Sequence, residues 1–169
     1  MKTSNLKITL VITLAMSLFS ALIARAQETT NKPAQGDHAG HVMLTVDDLK
    51  WADGPPSLPG GAKFAAMKGD PKNPGLFTMR LKLPDNFKIP AHWHPADEHV
   101  TVISGTFYMG MGDKLDLTKG KELAVGSFVV MPAQTHHFAY TKGETVVQLH
   151  GIGPWGINYV NPADDPRKK

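Results

Sequence analysis

Between positions 92 and 99 the chain reads His92-Trp93-His94-Pro95-Ala96-Asp97-Glu98-His99, its densest run of side chains able to hold a metal. On an extended strand alternate side chains share a face, which places His92 and His94 together about 7 Å apart along the chain, with Trp93 on the other side. Two neutral imidazoles on one face suit Zn, Cu, Fe or Ni, and an added carboxylate extends the range toward Mn. Pro95-Ala96-Asp97 forms a turn that can return Glu98 to that face. His92, His94 and Glu98 are therefore a candidate ligand set, against the competing reading of a hydrogen-bonded polar network. The chain has no cysteine, so any metal is held by nitrogen and oxygen alone, and a disulfide framework and a Cys nucleophile are both excluded.

The elements that must position these groups are strands. Residues 1–26 read as an export signal: Lys2 and Lys7 precede an uncharged, mostly apolar run from Ile8 to Ala24, and Ala24-Arg25-Ala26 is an A-x-A site with cleavage expected after Ala26. A periplasmic or secreted protein follows, with no stable membrane insertion once the signal is removed. Lys2, Lys7 and Arg25 are three of the 18 basic residues, so 15 remain against 15 acidic ones and the formal charge of +3 belongs to the signal. Residues 27–45 are polar and read as a flexible lead-in containing His38 and His41, for which a solvated tail is the reading and a metal-capture arm the alternative. Residues 46–169 form the single domain, with its core at about 60–160.

All 16 Gly and 13 Pro lie beyond the signal, which makes chain reversals frequent, and only four Glu accompany eleven Asp, so helix is scarce. Leu76 to Leu83 alternates with Phe77, Met79, Leu81 and Leu83 on one face. Further strands are expected at Ala62–Lys68, Phe87–His94, His99–Ser104, Thr106–Met111, Ser127–Met131, His136–Tyr140, Thr145–His150 and Gly156–Val160. Val100, Val102 and Ser104 are expected in register with Glu98. Many short strands with evenly spaced turns indicate an all-β sandwich or closed barrel.

From His92 to Gly105 the sequence reads H-x-H-x3-E-x6-G, and from Gly126 to His137 it reads G-x5-P-x4-H. Together they resemble the two motifs of the cupins, over roughly residues 60–160. Three positions depart from that pattern: Asn86 stands for an upstream Gly, Gln134 for the Gly two residues after Pro132, and Thr141 for the terminal Asn. The resemblance implies a double-stranded β-helix, the jelly-roll barrel, with one divalent ion (Zn, Mn, Fe, Ni or Cu) held by His92, His94, Glu98 and His137. It favours His137 over His136, which by alternation points away. His99 likewise faces opposite Glu98, and Met109 and Met111 read as strand core rather than thioether ligands.

A site with three nitrogens and one oxygen leaves coordination positions open, which separates catalytic from structural metal sites. An enolate, catecholate or hydroxy acid can chelate there, and a redox-active ion adds dioxygen chemistry. Tyr108, Gln148, His150 and Tyr159 are candidates to line the cavity. The leading function is a metal-dependent, dioxygenase-like oxidoreductase acting on a small oxygen-rich molecule. The alternative is a non-catalytic metal or small-ligand binding cupin, since the sequence is also similar to the cupin domains of zinc-dependent anti-sigma factors, although export argues against a direct transcriptional role. The expected partners are a small molecule and, as an option, a second copy of the chain. The His92–His99 run superficially matches the H-x-H-x-D-H motif of metallo-β-lactamase-like hydrolases, but Asp97 falls three residues after His94 rather than two and helix is lacking. The only basic cluster beyond the signal, Arg167-Lys168-Lys169, adjoins Asp164 and Asp165 and forms no nucleic-acid groove.

Overall fold

Leu76 to Leu83 shows how the sequence builds the sheet. Phe77, Met79, Leu81 and Leu83 are buried, while Thr78, Arg80 and Lys82 between them are partly exposed. The computed structural model describes residues 41–169; the expected export signal and His38 lie outside them. His41 is exposed.

The strands are β1 (Ala52–Asp53), β2 (Lys63–Lys68), β3 (Gly75–Leu83), β4 (Lys88–Trp93), β5 (Glu98–Met111), β6 (Lys121–Leu123), β7 (Phe128–Met131), β8 (His137–Gly153) and β9 (Asn158–Tyr159). Apart from three single-turn 3-10 helices, the described residues contain no helix. All pairings are antiparallel, in the order β1-β2-β3-β8-β4-β9, with β5 joining β6, β7 and β8. The sheet curls into the jelly-roll barrel of a cupin, with Phe77, Leu83, Val100, Val102 and Val147 almost wholly buried inside it.

Strand β8 is the spine. Its first part pairs with β4 and with the far half of β5, and its second part pairs with β3 and with the near half of β5. The four strands expected at His99–Ser104, Thr106–Met111, His136–Tyr140 and Thr145–His150 are thus two long ones, because Gly105 and Gly143, at φ 76° and 75°, bend them without ending them. A Cβ at Gly105 would collide with the carbonyl oxygen of Glu144 and the Thr145 hydroxyl, so glycine is required there. Irregular register on either side of Ser104 also switches the buried parity, from Val100 and Val102 to Phe107 and Met109. Ser104 is exposed rather than in register with the buried set, and Met111 is 56% exposed rather than core. Strand β6, which has no alternation, was not expected from the sequence.

The three departures from the cupin pattern have structural counterparts. Asn86 and Gln134 are the only non-glycine residues at positive φ among the described residues, at 56° and 61°. The left-handed turns that glycine would supply are kept, at the cost of placing side chains in them. Thr141, at the position of the terminal Asn, donates its hydroxyl to the Pro84 carbonyl at 2.6 Å and accepts from the Phe87 amide at 3.0 Å. It latches the same turn that Asn86 forms.

Candidate metal centre

His92 lies in β4 directly opposite His137, the first residue of β8, and also opposite Tyr159 of β9. The pairing of β4 with β8 is irregular between Ile89 and His92, so Ala91 and His92 are both buried in succession. Pro90, which has no amide to give to a ladder, stands at this irregularity. His94 follows the strand, and Glu98 opens β5 after the Pro95-Ala96-Asp97 turn. That turn is held by Asp97, whose carboxylate accepts the Ala133 amide at 2.8 Å, while the Gln134 amide donates to the His94 carbonyl at 2.8 Å. The loop before β8 is therefore fastened to the loop after β4, and the four side chains meet at one end of the barrel.

His92, His94, Glu98 and His137 are all buried. The three imidazoles offer nitrogens within 4.8 Å of one another. The carboxylate of Glu98 faces two of them, with Oε1 3.5 Å from His94 Nε2 and Oε2 3.5 Å from His137 Nε2. Each Nδ1 is taken by a main-chain carbonyl: His92 by Pro90 at 2.7 Å, His94 by Gly156 at 2.7 Å and His137 by Thr135 at 2.9 Å. A carbonyl accepts only a proton, so each ring carries its hydrogen on Nδ1 and turns the Nε2 lone pair inward. His94 Nε2 and His137 Nε2 are buried with no hydrogen-bond partner.

Burial lowers His92 to about 3, with His137 and His94 acting in the same direction and Glu98 against. Burial also lowers His94, against the opposing pull of Glu98 and the Gly156 carbonyl. Burial pushes Glu98 up, but the facing imidazoles of His94, His137 and His92, once they are charged, outweigh it and lower the carboxyl to about 2. At neutral pH an ionised carboxylate thus faces neutral His92 and His94. Lone pairs directed at a carboxylate repel it, and the group complementary to such an arrangement is a cation. Donors about 2.1 Å from an ion stand roughly 3 to 4 Å apart, which the 3.5 Å separations around Glu98 match. The donor set therefore fits a divalent ion, held by His92, His94, Glu98 and His137, with carbonyl-fixed tautomers in the manner of established metal sites.

A cavity of about 620 Å³ opens onto the centre, with His92 and Glu98 in its wall. Its remaining lining is mainly apolar, including Leu58, Phe64, Met79, Leu81, Trp155 and Ile157. Trp155 stacks on His94 with ring centres 4.2 Å apart and planes 18° from parallel. A narrower void of about 30 Å³ continues inward and borders His92, Glu98 and His137.

Of the four cavity candidates, Tyr159 is buried with its ring 6.1 Å from that of His92, and its hydroxyl donates to the Ser57 carbonyl at 2.8 Å. Tyr108, Gln148 and His150 stand outside the barrel and do not line the cavity. Tyr108 is stacked on Tyr140 and donates to Glu122 at 2.5 Å, Gln148 accepts from Arg80 Nε at 3.1 Å, and His150 lies against His99 with ring centres 4.7 Å apart. On β8 the inward residues are Thr145, Val147 and Leu149, so the polar parity of Gln148 and His150 is the outer one. His136 is also outside, paired with Asp113 at 2.6 Å. The sequence reading gave no site role to Trp155, Gly156 or Arg167. Gly156 meets His94 across 62 residues, and no local spacing signals such a contact.

The fold is that of the cupins. Over residues 21–154 the chain matches the model of a domain family of unknown function, DUF4437, and belongs to that family. No curated protein matches it significantly. Among solved structures it is similar to the polyketide cyclase RemF from Streptomyces resistomycificus, with a TM-score of 0.59 and 14% identity over 76% of this chain and 92% of that one. It is similar to a putative acetylacetone dioxygenase from Methylibium petroleiphilum PM1, with a TM-score of 0.57 and 17% identity over 75% and 85% of the two chains. It is also similar to an RmlC-like cupin from Ralstonia eutropha JMP134, with a TM-score of 0.56 and 20% identity over 75% and 76%. At these identities the likeness is one of fold.

Proposed function

We propose that this protein is an exported, mononuclear metal cupin that acts as a dioxygenase-like oxidoreductase on a small oxygen-rich molecule. The observation that carries the reading is the set of inward Nε2 lone pairs around the Glu98 carboxylate at the floor of a 620 Å³ cavity. A purely structural site is closed by its ligands, whereas this one has two of its four groups in the wall of a chamber large enough for a small molecule. The putative acetylacetone dioxygenase among the similar structures carries an oxygen-rich substrate in its name, which agrees with this class. A bound divalent ion supplies charge that holds and polarises an oxygen-donor substrate and, where it is redox-active, electrons for dioxygen chemistry.

The chain's own residues do the rest. His92, His94 and His137 are kept in one tautomer by the carbonyls, Glu98 supplies the negative charge, and the apolar wall from Leu58 to Ile157 excludes water from the reacting end. Trp155, stacked on His94, limits how far that ring can tilt. Elemental analysis of protein purified from its native compartment, combined with oxygen uptake on enolates, catechols and hydroxy acids, tests the reading. About one Fe, Mn, Ni or Cu per chain with substrate-dependent oxygen uptake is expected. One Zn per chain without oxygen uptake would support the non-catalytic alternative, and no metal would overturn both. Mass spectrometry of the exported chain should find Gln27 at its start.

A further inference from the structure

The metal cavity has a further charged group in its wall. Its wall includes Arg167, which lies beyond the segment matched by the family model, in the final turn Pro166–Lys168. The turn is capped by Asp165, whose carboxylate accepts the Arg167 amide at 3.0 Å. The same carboxylate takes the side chain through Nε at 2.7 Å and Nη2 at 2.8 Å, and Nη2 also reaches the Ile157 carbonyl at 3.3 Å. A bidentate carboxylate and a main-chain carbonyl together fix the plane of the guanidinium. Nη1 makes no hydrogen bond among the described residues, and the side chain remains 43% exposed.

Apart from Glu98, the other charged groups in this wall are already engaged or flexible. Asp53 is bound to Lys63 Nζ at 2.6 Å, and Asp70 accepts from the Lys72 amide at 2.9 Å and from Asn73 Nδ2 at 3.0 Å. Lys72 is a mobile point charge by comparison with a clamped, planar fork. Asn158 also lines the wall, and Tyr159, the next residue, is tied to the Ser57 carbonyl. The segment from Gly156 to Ile157 touches both His94 and Arg167. Its Gly156 carbonyl orients His94, and its Ile157 carbonyl holds Arg167.

From this arrangement we infer that Arg167 is the specificity-determining residue of the cavity, pairing with a carboxylate at the far end of a substrate whose oxygen donors lie at His92 and Glu98. The inference rests on the proposed function and sharpens it: the substrate is a small anion with oxygen donors at one end, an apolar middle and a carboxylate at the other.

The test uses the chain loaded with Co(II), whose visible spectrum reports ligands at the metal, titrated with three matched pairs of 2-hydroxy acids. These are malate and 2-hydroxybutyrate, 2-hydroxyglutarate and 2-hydroxypentanoate, and 2-hydroxyadipate and 2-hydroxyhexanoate, each pair differing only in a terminal carboxylate or methyl. At one length or more, the diacid is expected to bind at least tenfold more tightly than its methyl-ended partner. Arg167→Gln should reduce that preference to within twofold, and Arg167→Lys should retain part of it. Equal binding of both members at all three lengths in the unmodified protein, or a preference that survives Arg167→Gln, overturns the assignment. If the protein takes up no Co(II), the proposed function fails separately. The same pairs are then compared by calorimetry on the metal-free protein, where a diacid preference dependent on Arg167 supports the inference and its absence overturns it.

Discussion

Replacing Glu98 by Gln separates a metal centre from a structural polar network. In the metal-free protein the ionised carboxylate is buried and faces two Nε2 lone pairs at 3.5 Å. Glutamine is nearly isosteric, carries no charge and presents amide hydrogens to those lone pairs. The metal-free variant should therefore be as stable as the parent or more so by about 1 kcal/mol, in the range of a net hydrogen bond. The metal response should move the opposite way. At a free metal concentration of 100 Kd the parent gains about 2.7 kcal/mol, and a variant binding 100-fold more weakly gains only about 0.4 kcal/mol. Unfolding entropy of about 2.1 cal/mol/K per residue over the roughly 130 residues from Val42 to Lys169 converts these to shifts in Tm of about 10 °C and 1.5 °C. Scanning calorimetry of both proteins, with chelator and with Zn(II), reads all four values. A metal-free variant destabilised by about 3 kcal/mol or more, the cost of breaking a buried charge pair, would refute the reasoning. So would an equal metal shift in the two proteins.

Three further outcomes follow from the same geometry. Gln134→Gly should stabilise the protein by about 0.5–1 kcal/mol in urea denaturation, because relief of a left-handed side chain at φ 61° exceeds the added entropy of glycine in the unfolded chain; a lower midpoint would count against it. Thr141→Val should cost about 2–3 kcal/mol by leaving the Pro84 carbonyl and the Phe87 amide without partners, with the urea m-value unchanged. Metal-free protein should lose stability as pH falls. His92 and His94 are lowered in the fold, so their contribution is complete above the unfolded value of 6.5 and declines below it. From His92 alone the decline between pH 7.5 and pH 5 is about 2 kcal/mol, read as a shift in urea midpoint, and an unchanged midpoint would contradict it.

The sequence made the fold legible because the cupin motifs and the alternation in Leu76–Leu83 are both local. Phe77, Met79, Leu81 and Leu83 could be placed inward from spacing alone, and so could Val100 and Val102. Alternation failed where the backbone departs from period two. Near Ser104 and Gly105 the parity switches, which put Ser104 and Met111 on the wrong faces. At His92 the strand is irregular, yet the pair His92 and His94 still converges because the turn at Pro95 is pinned by Asp97 and Gln134. The choice of Gln148 and His150 as cavity residues followed polarity rather than burial, whereas Val147 and Leu149 on the same strand marked the inward face. Contacts supplied from residues 155–168, including the Trp155 stack, the Gly156 carbonyl and the Arg167 clamp, depend on where the chain returns after β8. No residue spacing encodes that return.

The carbonyls of Pro90, Thr135 and Gly156 give this centre an insulation from point mutation. Metal-bound histidines are oriented by carboxylates, main-chain carbonyls or water, and a carboxylate partner is one that a single codon change removes. Here every orienting acceptor is main chain, and it survives any substitution that leaves the local backbone path intact. Gly156 even has open space where a Cβ would stand. Saturation mutagenesis at positions 90, 135 and 156 should accordingly be quiet in metal retention, while positions 92, 94, 98 and 137 tolerate almost nothing. A lineage of such proteins can drift far in sequence around an unchanged ligand tautomer, and the variation that distinguishes its members is free to accumulate in the cavity wall.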